Sequence, residues 1–151
     1  MTKGIKFDNE TMGLIQLFDA ITGANTLDCV VMEEPDGSER IIYMVERSNL
    51  GKAIGKDGIN VKKLREKLDK KIDIVAYSDD LYKFVKYLLY PAKIRKIEEQ
   101  PRTDDQRVLV VTVRPQDKGI AIGKNGRNIQ KANLFARRHF DVDSVIIDTR
   151  N

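Results

Sequence analysis

The stretch that decides the fold is "LGKAIGKDGINVKKL", residues 50–64, which has a near-copy in "KGIAIGKNGRNIQKA", residues 118–132. When Gly51 is aligned with Gly119, 68 residues further on, eight of the first fourteen positions are identical. This separation is too long for a solenoid repeat and suits a small duplicated domain. The chain of 151 residues is therefore expected to form two domains of similar size.

The residues before and after the first copy predict a helix, two strands, a helix, a turn, a helix and a strand. The helix "DNETMGLIQLFDAITG" has apolar residues at helical spacing, a cap at Asp8 or Asn9, and Gly23 at its end. The β-branched runs "LDCVVMEE" and "RIIYMVER" form a hairpin. A short helix capped by Ser48 or Asn49, the helix "INVKKLREKLDK" and the strand "KIDIVAYS" complete the half.

The second half predicts the same order of elements. Its helices are "DDLYKFVKYLLY", a short one that starts near Pro115, and "RNIQKANLFARRHF"; its strands are "AKIRKIEE", "RVLVVTVR" and "VDSVIIDT". We therefore predict an α+β fold in which each half has a three-stranded sheet covered by helices. The expected boundaries are residues 1–78 and 79–151.

Positive charge is concentrated on the two repeated segments. The net charge of +4 is unevenly distributed: −6 over residues 1–46, +6 over residues 47–71, +6 over residues 114–138 and −2 over the remaining residues. Such a distribution is expected of a surface that binds a polyanion. Two solvated helix faces would give the same pattern, so charge alone leaves both interpretations open.

Composition also limits where the protein acts. The longest apolar runs are only a few residues, and the N-terminus lacks the apolar segment of a signal peptide. The single cysteine, Cys29, lies in the apolar run "CVVM" and is expected to be a small buried hydrophobe. We therefore expect a cytoplasmic protein.

The repeated turn has the chemistry of an anion site. Glycines at both ends of Gly-x-x-Gly give the backbone freedom and let another backbone approach closely. The turn leads into a helix N-terminus, whose N–H groups favour an anion, and Lys56 or Lys124 adds a positive charge. A single copy would be read as a tight corner between helices. Two copies, each in a basic segment, favour binding of a phosphodiester backbone.

Enzymatic chemistry is not supported by the residues. A P-loop needs G-x-x-x-x-G-K-[ST], whereas Gly51 and Gly55 are separated by three residues and Asp57 or Asn125 follows the lysine. His139 is the only histidine, so neither a Cys/His metal site nor a histidine-dependent triad can be assembled in one chain. We expect no enzyme, no metal and no cofactor.

The segments "IGKDGINV" and "IGKNGRNI" resemble the signature of KH domains, which bind single-stranded RNA. The order of elements resembles the type II, or prokaryotic, arrangement. Two such units in tandem, with "PAKI" between them, resemble the KH region of the NusA family, and a chain with little else resembles its short archaeal members. By that resemblance, we expect no N-terminal polymerase-binding domain and a role in transcription elongation or termination.

The resemblance implies a set of RNA-binding residues. Each turn would clamp the RNA backbone, with apolar residues beside it and basic residues further along. The clamp residues are Gly55, Lys56, Asp57, Gly58, Gly123, Lys124, Asn125 and Gly126; Ile54, Ile59, Val61, Ile122 and Ile129 would line or support the groove; Lys52, Lys62, Lys63, Arg127 and Lys131 would make outlying phosphate contacts. Asp57 adds a negative charge to the first clamp, which we expect to be the weaker one.

The resemblance implies single-stranded RNA as the partner. Whether the protein also contacts RNA polymerase is left open by the sequence. We expect a monomer, although the sequence does not determine the oligomeric state. A KH protein of ribosome assembly or RNA decay is the alternative of the same class. A protein that does not bind RNA, as a scaffold or an unrecognised enzyme, is the alternative of a different class, and it predicts that changes in the two turns have no effect.

Overall fold

The computed structural model describes residues 7–101 and 104–149. The chain forms two compact units, of which the first ends at Ser78 and the second begins at Asp79. The elements of the first unit are α1 (Asn9–Thr22), β1 (Thr26–Glu33), β2 (Glu39–Glu46), α2 (Leu50–Ile54), α3 (Ile59–Leu68) and β3 (Lys71–Tyr77). The elements of the second unit are α4 (Leu81–Leu89), β4 (Ile94–Glu99), β5 (Val108–Val113), α5 (Lys118–Ile122), α6 (Arg127–Phe140) and β6 (Ser144–Asp148).

Both units have the same sheet topology. In the first, β2 lies in the centre, antiparallel to β1 and parallel to β3. In the second, β5 lies in the centre, antiparallel to β4 and parallel to β6. A parallel pair needs a crossover connection, and α2–α3 and α5–α6 supply it. The prediction of two α+β units, each with a three-stranded sheet and helices, is confirmed.

The first helix begins and ends where its local sequence predicts. The Asp8 side chain accepts a hydrogen bond from the Thr11 N–H at 2.7 Å, which satisfies one of the free donors at the helix start. Gly23 ends the helix in the left-handed conformation (φ 72°), and its N–H donates to the Asp19 carbonyl. Both signals are local, so the sequence alone is sufficient to place this helix.

The core of the first unit lies between the helices and the sheet. The Phe18 ring of α1 stacks on Tyr43 of β2 with 4.1 Å between ring centroids. Tyr43 is fully buried, its hydroxyl donates to the Leu14 carbonyl at 3.0 Å, and burial raises the pKa of Tyr43. Cys29 is buried in the same cluster, in agreement with its expected role as a small hydrophobe. Ala53 and Leu64 fix α2 and α3 to this core.

The core of the second unit is built between α4 and α6. Helix α4 buries the stripe Phe84, Val85, Leu88 and Leu89 that its periodicity predicts. Phe84 contacts both Phe140, at 4.9 Å between ring centroids, and His139, at 5.7 Å. His139 is buried, so it belongs to the core. These contacts hold α6, and with it the second Gly-x-x-Gly turn, against α4.

The start of the first short helix differs from the prediction, whereas the second begins near Pro115 as expected. Neither Ser48 nor Asn49 makes a capping hydrogen bond; Asn49 itself has helical dihedral angles (φ −98°, ψ −2°). A 3₁₀ turn, Arg47–Asn49, leads directly into α2 instead, and Pro115–Asp117 does the same before α5. Helix α3 ends at Leu68, since Asp69 adopts the left-handed conformation (φ 52°).

Arg107 joins three segments of the second unit at the start of β5. Its guanidinium makes two hydrogen bonds to the Glu99 carboxylate, at 2.9 and 3.1 Å, and donates to the Phe140 carbonyl at 2.7 Å. Its backbone N–H donates to Asp143 at 2.6 Å. The side chain thus links β4 and the end of α6, whose last carbonyls lack partners within the helix.

Replacing Arg107 with alanine is expected to lower the free energy of unfolding of the second unit by about 1–2 kcal/mol, because three charge-assisted hydrogen bonds are lost. Urea unfolding of the full chain, followed by amide signals from β5 and β6, measures this. Lys96→Ala is the control, because the ion pair between Lys96 and Glu98 is exposed on both sides and should contribute little. Equal losses in the two variants would contradict the linking role of Arg107.

Candidate nucleic-acid interface

The first Gly-x-x-Gly turn connects α2 to α3 through four residues, three of which have positive φ. Gly55 has φ 79° and ψ 168°, Asp57 has φ 55° and ψ 26°, and Gly58 has φ 71° and ψ 22°. The Gly58 N–H donates to the Gly55 carbonyl at 3.1 Å, which closes the turn. Three residues with positive φ in a row of four give the turn a backbone that few sequences adopt.

The second turn, between α5 and α6, repeats this backbone closely. Gly123 has φ 79° and ψ 168°, and Asn125 has φ 56° and ψ 27°. Gly126 differs most from its counterpart, with φ 75° and ψ 15°. Its N–H donates to the Gly123 carbonyl at 3.0 Å. The two turns therefore have one backbone conformation, and they differ in the side chain at the third position.

Asp57 and Asn125 suit that third position for the same reason. Their short polar side chains make aspartate and asparagine the residues, after glycine, that adopt the left-handed conformation most readily. Both side chains are exposed. The negative charge of Asp57 is therefore a difference in electrostatics that requires no difference in backbone shape.

The two glycines of each turn have different surroundings. A Cβ added at Gly55 would lie 2.9 Å from the side-chain amide nitrogen of Asn60, and one added at Gly123 would lie 2.9 Å from the backbone nitrogen of Asn128. At Gly58, by contrast, no heavy atom lies within 4 Å of an added Cβ, and at Gly126 an added Cβ would make only an ordinary contact, 3.8 Å from Cγ2 of Ile129. The first glycine therefore faces the protein, whereas the second leaves an open surface where another backbone could approach.

Positive groups surround this open surface. Lys56 and Lys124 are exposed within the turns. The turns end at the first residues of α3 and α6, Ile59 and Arg127, whose backbone N–H groups donate to the carbonyls of Lys56 and Lys124 within the turns. An exposed lysine beside a glycine, at the positive end of the dipole of the following helix, suits a phosphate group.

The apolar residues near the turns divide into two groups. Ile54, Ile122 and Ile129 are partly buried, and Val61 is partly buried against the core of the first unit. Ile59 is 45% exposed, so it does not belong to the buried face of α3 that its spacing predicts. Its counterpart Arg127 is partly buried.

The outlying basic residues are not equivalent. Lys52, Lys62 and Lys63 are exposed, whereas Lys131, the counterpart of Lys63, is 9% exposed. Lys131 lies on the stripe of α6 that also carries Ala132, Phe135, Ala136 and His139, all of them buried. A solvent-facing phosphate contact does not suit this position, so Lys131 is left out of the candidate interface.

An ion pair lies just before α5, the helix that leads into the second turn. The Arg114 guanidinium donates to the Asp117 carboxylate at 2.6 Å, and Asp117 is buried. This hydrogen bond, helped by the positive charge of Arg114, lowers the pKa of Asp117. The pair keeps the 3₁₀ turn before α5 in place, because it ties residue 114 at the end of β5 to the residue before the helix.

The described residues contain neither a candidate metal site nor a helix that could cross a membrane. Within 7–101 and 104–149, no group of three or more His, Cys, Asp or Glu side chains could hold a metal ion. In the same part of the chain, no helix has the length and apolar character needed to cross a membrane.

Comparison with known proteins agrees with this geometry. A family model described as the NusA-like second KH domain matches residues 81–149, and a model described as the KH domain matches residues 15–102. The "Probable transcription termination protein NusA" of Methanococcus vannielii is 35% identical over 141 residues, which cover 93% of this chain and 78% of that relative. The chain belongs to the archaeal NusA-like family. The protein of the same description from Halococcus morrhuae is 33% identical, over 87% of this chain and 89% of its own length.

A solved structure, "Crystal structure of APE1850", has the same fold as this NusA-like chain. It is 37% identical, with a TM-score of 0.82, over 94% of this chain and all of that one. The predicted resemblance to tandem KH domains of the NusA family is thus confirmed. The two Gly-x-x-Gly turns lie within the residues that the two KH models match, one in each unit.

Two residues of the NusA-like site received no role from sequence reasoning. The Asn60 side chain donates to the Lys52 carbonyl at 3.1 Å, and the Asn128 side chain donates to the Ile120 carbonyl at 2.8 Å. Each bond crosses the turn from the second helix back to the first. The available signal was that asparagine is identical in the two copies; the partner could not be inferred, because it is a backbone carbonyl of another helix.

Proposed function

We propose that this NusA-like protein binds single-stranded RNA through two clamps, Gly55–Gly58 and Gly123–Gly126. The observation that supports this most strongly is the repetition of one unusual backbone conformation in both units, each time on a basic segment. In this proposal the RNA backbone lies against the open side of the second glycine. Lys56 or Lys124 neutralises a phosphate, and Lys52, Lys62, Lys63 and Arg127 add longer-range attraction.

The proposed contacts favour backbone recognition over stacking on aromatic rings. Ile54 and Ile122 precede the clamps and are partly buried, so they offer a small apolar surface beside the backbone. A strand held in this way exposes its bases to main-chain and aliphatic groups, which gives short sites of about four nucleotides in each domain. Binding should therefore depend on salt and only moderately on sequence.

Direct measurement of RNA binding tests the proposal. Fluorescence anisotropy with a labelled single-stranded RNA of about 12 nucleotides is recorded across a salt titration, with duplex RNA of the same length as competitor. We expect the logarithm of affinity to fall linearly with the logarithm of salt concentration. Duplex RNA should compete poorly, because a clamp for one backbone leaves no space for the second strand. Equal competition by the duplex would contradict the proposal.

We propose transcription elongation or termination as the process in which this RNA binding is used. The support is that the matched relatives are described as probable transcription termination proteins. RNA polymerase is the protein partner that this role suggests. Purification of the tagged protein from its own cells, with and without ribonuclease, separates this role from ribosome assembly or RNA decay. Co-purification of polymerase subunits supports the proposal, and ribosomal or exonuclease subunits in their place would overturn it.

Asp57 is proposed to make the first clamp weaker than the second. Asp57→Asn should tighten RNA binding by about 3-fold, because it removes a negative charge a few ångströms from the bound phosphate. Asn125→Asp should weaken binding by a similar factor. Both residues have the same backbone angles within 1°, so neither exchange requires the turn to move.

Combining the two substitutions separates the effect of position from the effect of net charge. The double variant Asp57→Asn/Asn125→Asp keeps the net charge of the protein and transfers the acidic residue from one clamp to the other. The same anisotropy titration is used, at low salt where charge effects are largest. Unchanged affinity in both single variants would show that the third position of the turn does not face the phosphate.

A further inference from the structure

The cross-turn hydrogen bonds of Asn60 and Asn128 are the feature of the site that the proposed function does not yet use. In both units the asparagine is the second residue of the helix after the turn. In both units its side-chain amide donates to the third residue of the short helix before the turn, Lys52 or Ile120. The same hydrogen bond, between residues eight positions apart, forms in both units, which indicates that it has the same role in each.

The carbonyls that accept these bonds belong to helices too short to provide each of them with an N–H donor. Helices α2 and α5 have five residues each, so most of their carbonyls lie in the last turn, where no following helical N–H is available. After Gly51 accepts from the Gly55 N–H, the chain turns away at Gly55. Asn60 supplies a donor from the far side of the turn, and Asn128 does the same for α5.

The first glycine of each clamp makes room for this asparagine. An added Cβ at Gly55 would lie 2.9 Å from the amide nitrogen of Asn60, and one at Gly123 would lie 3.0 Å from the side-chain Cγ of Asn128. Any larger residue there would push the asparagine away from its carbonyl. The glycine, the asparagine and the carbonyl thus form one unit on the protein side of the turn, opposite the open surface at the second glycine.

We propose that Asn60 and Asn128 are positioning residues, which hold the clamps in the RNA-binding conformation before RNA arrives. This inference rests on the proposed RNA binding. Without the cross-turn bond, the turn would sample other conformations, and the apparent affinity would fall in proportion to the fraction of molecules that remain competent. The phosphate contacts themselves would be unchanged, because the lysines and the helix N-termini remain in place.

The test compares Asn60→Ala/Asn128→Ala with Asn133→Ala in the full chain. Asn133 is the matched control: it is an asparagine of α6 that makes three side-chain hydrogen bonds, to Ile129 and Val145, outside the clamp. We expect the double variant to bind single-stranded RNA about 5- to 20-fold more weakly, with the wild-type slope of affinity against salt. Asn133→Ala should bind as tightly as wild type, although it is less stable.

Amide hydrogen exchange in the free protein gives a second measurement that a general loss of stability would not reproduce. The N–H groups of Gly58 and Gly126 donate within the turns, at 3.1 and 3.0 Å, and report the order of each turn. Their protection should fall in the double variant and stay unchanged in Asn133→Ala. The single variants Asn60→Ala and Asn128→Ala replace the double variant if that protein fails to fold.

The outcomes separate this inference from the function on which it rests. If wild type binds no single-stranded RNA, the proposed function fails and the positioning role fails with it. If wild type binds and the asparagine variants bind equally well, RNA binding stands and the positioning role is overturned. If affinity falls together with the salt slope, the asparagines act through the phosphate contacts themselves, which also overturns a purely positioning role.

Discussion

Replacing both Lys56 and Lys124 with aspartate is expected to weaken binding of single-stranded RNA by about 100-fold at 0.1 M salt. Each substitution removes a positive charge from the phosphate seat and puts a negative charge in its place, which costs about 10-fold per clamp. The salt dependence should become shallower as well, because fewer counterions are released when fewer phosphates are neutralised. Both lysines are exposed, so the fold should tolerate the change.

The control for this experiment keeps the change in charge and moves it away from the clamps. Lys83→Asp/Lys86→Asp reverses two exposed lysines on α4, which alters the net charge by the same amount. We expect that control to lose no more than about 3-fold in affinity through long-range attraction. Equal losses in the two double variants would mean that the basic helices bind RNA as a diffuse surface, and the repeated turns would then need another explanation.

The largest loss of stability is expected from alanine at the first glycine of the second clamp. Gly123 has φ 79° and ψ 168°, a region that only glycine occupies without strain. The added Cβ would also lie 2.9 Å from the backbone nitrogen of Asn128, which belongs to α6 and cannot move aside. Gly123→Ala should therefore lower the free energy of unfolding of the second unit by about 2–4 kcal/mol.

Two other glycines make this prediction specific. Gly55→Ala has the same backbone angles but meets only side-chain atoms, of Asn60 and Ile59, so it should cost less than Gly123→Ala. Gly119→Ala lies in α5 with open space around it and should stabilise the helix by about 0.5–1 kcal/mol. Urea unfolding of the full chain, followed by amide signals of each unit, ranks the three variants. A cost at Gly119 equal to that at Gly123 would contradict the argument.

Local signals in the sequence were sufficient for most of the fold. The cap at Asp8, the ending at Gly23 and the apolar stripe of α4 each involve residues within a few positions of one another, so a single sequence can reveal them. The comparison of residues 50–64 with 118–132 added the duplication, and with it the common order of elements in both units. The Gly-x-x-Gly turns were found in the same way, since their residue types follow from their backbone.

Features that depend on distant partners could not be predicted. Lys131 and Lys63 occupy equivalent positions in the repeat, but only α6 carries a buried stripe that includes the lysine. Ser48 and Asn49 have the right residue types for a cap, yet a 3₁₀ turn occupies the helix start. The asparagine that crosses each turn binds a carbonyl eight residues earlier, and neither helix periodicity nor composition indicates such a bond.

The shared backbone of the two turns has a consequence for how the halves of this protein can diverge. Because Gly55–Gly58 and Gly123–Gly126 adopt one conformation, any difference in what they bind originates in side chains: Asp57 against Asn125, Lys52 against Ile120, and Ile59 against Arg127. Each of these pairs can be exchanged between the halves without redesigning a loop. Under the proposed function, the repeat therefore provides two binding sites with one backbone shape, and the preference of each can change by point mutation while the other keeps its own.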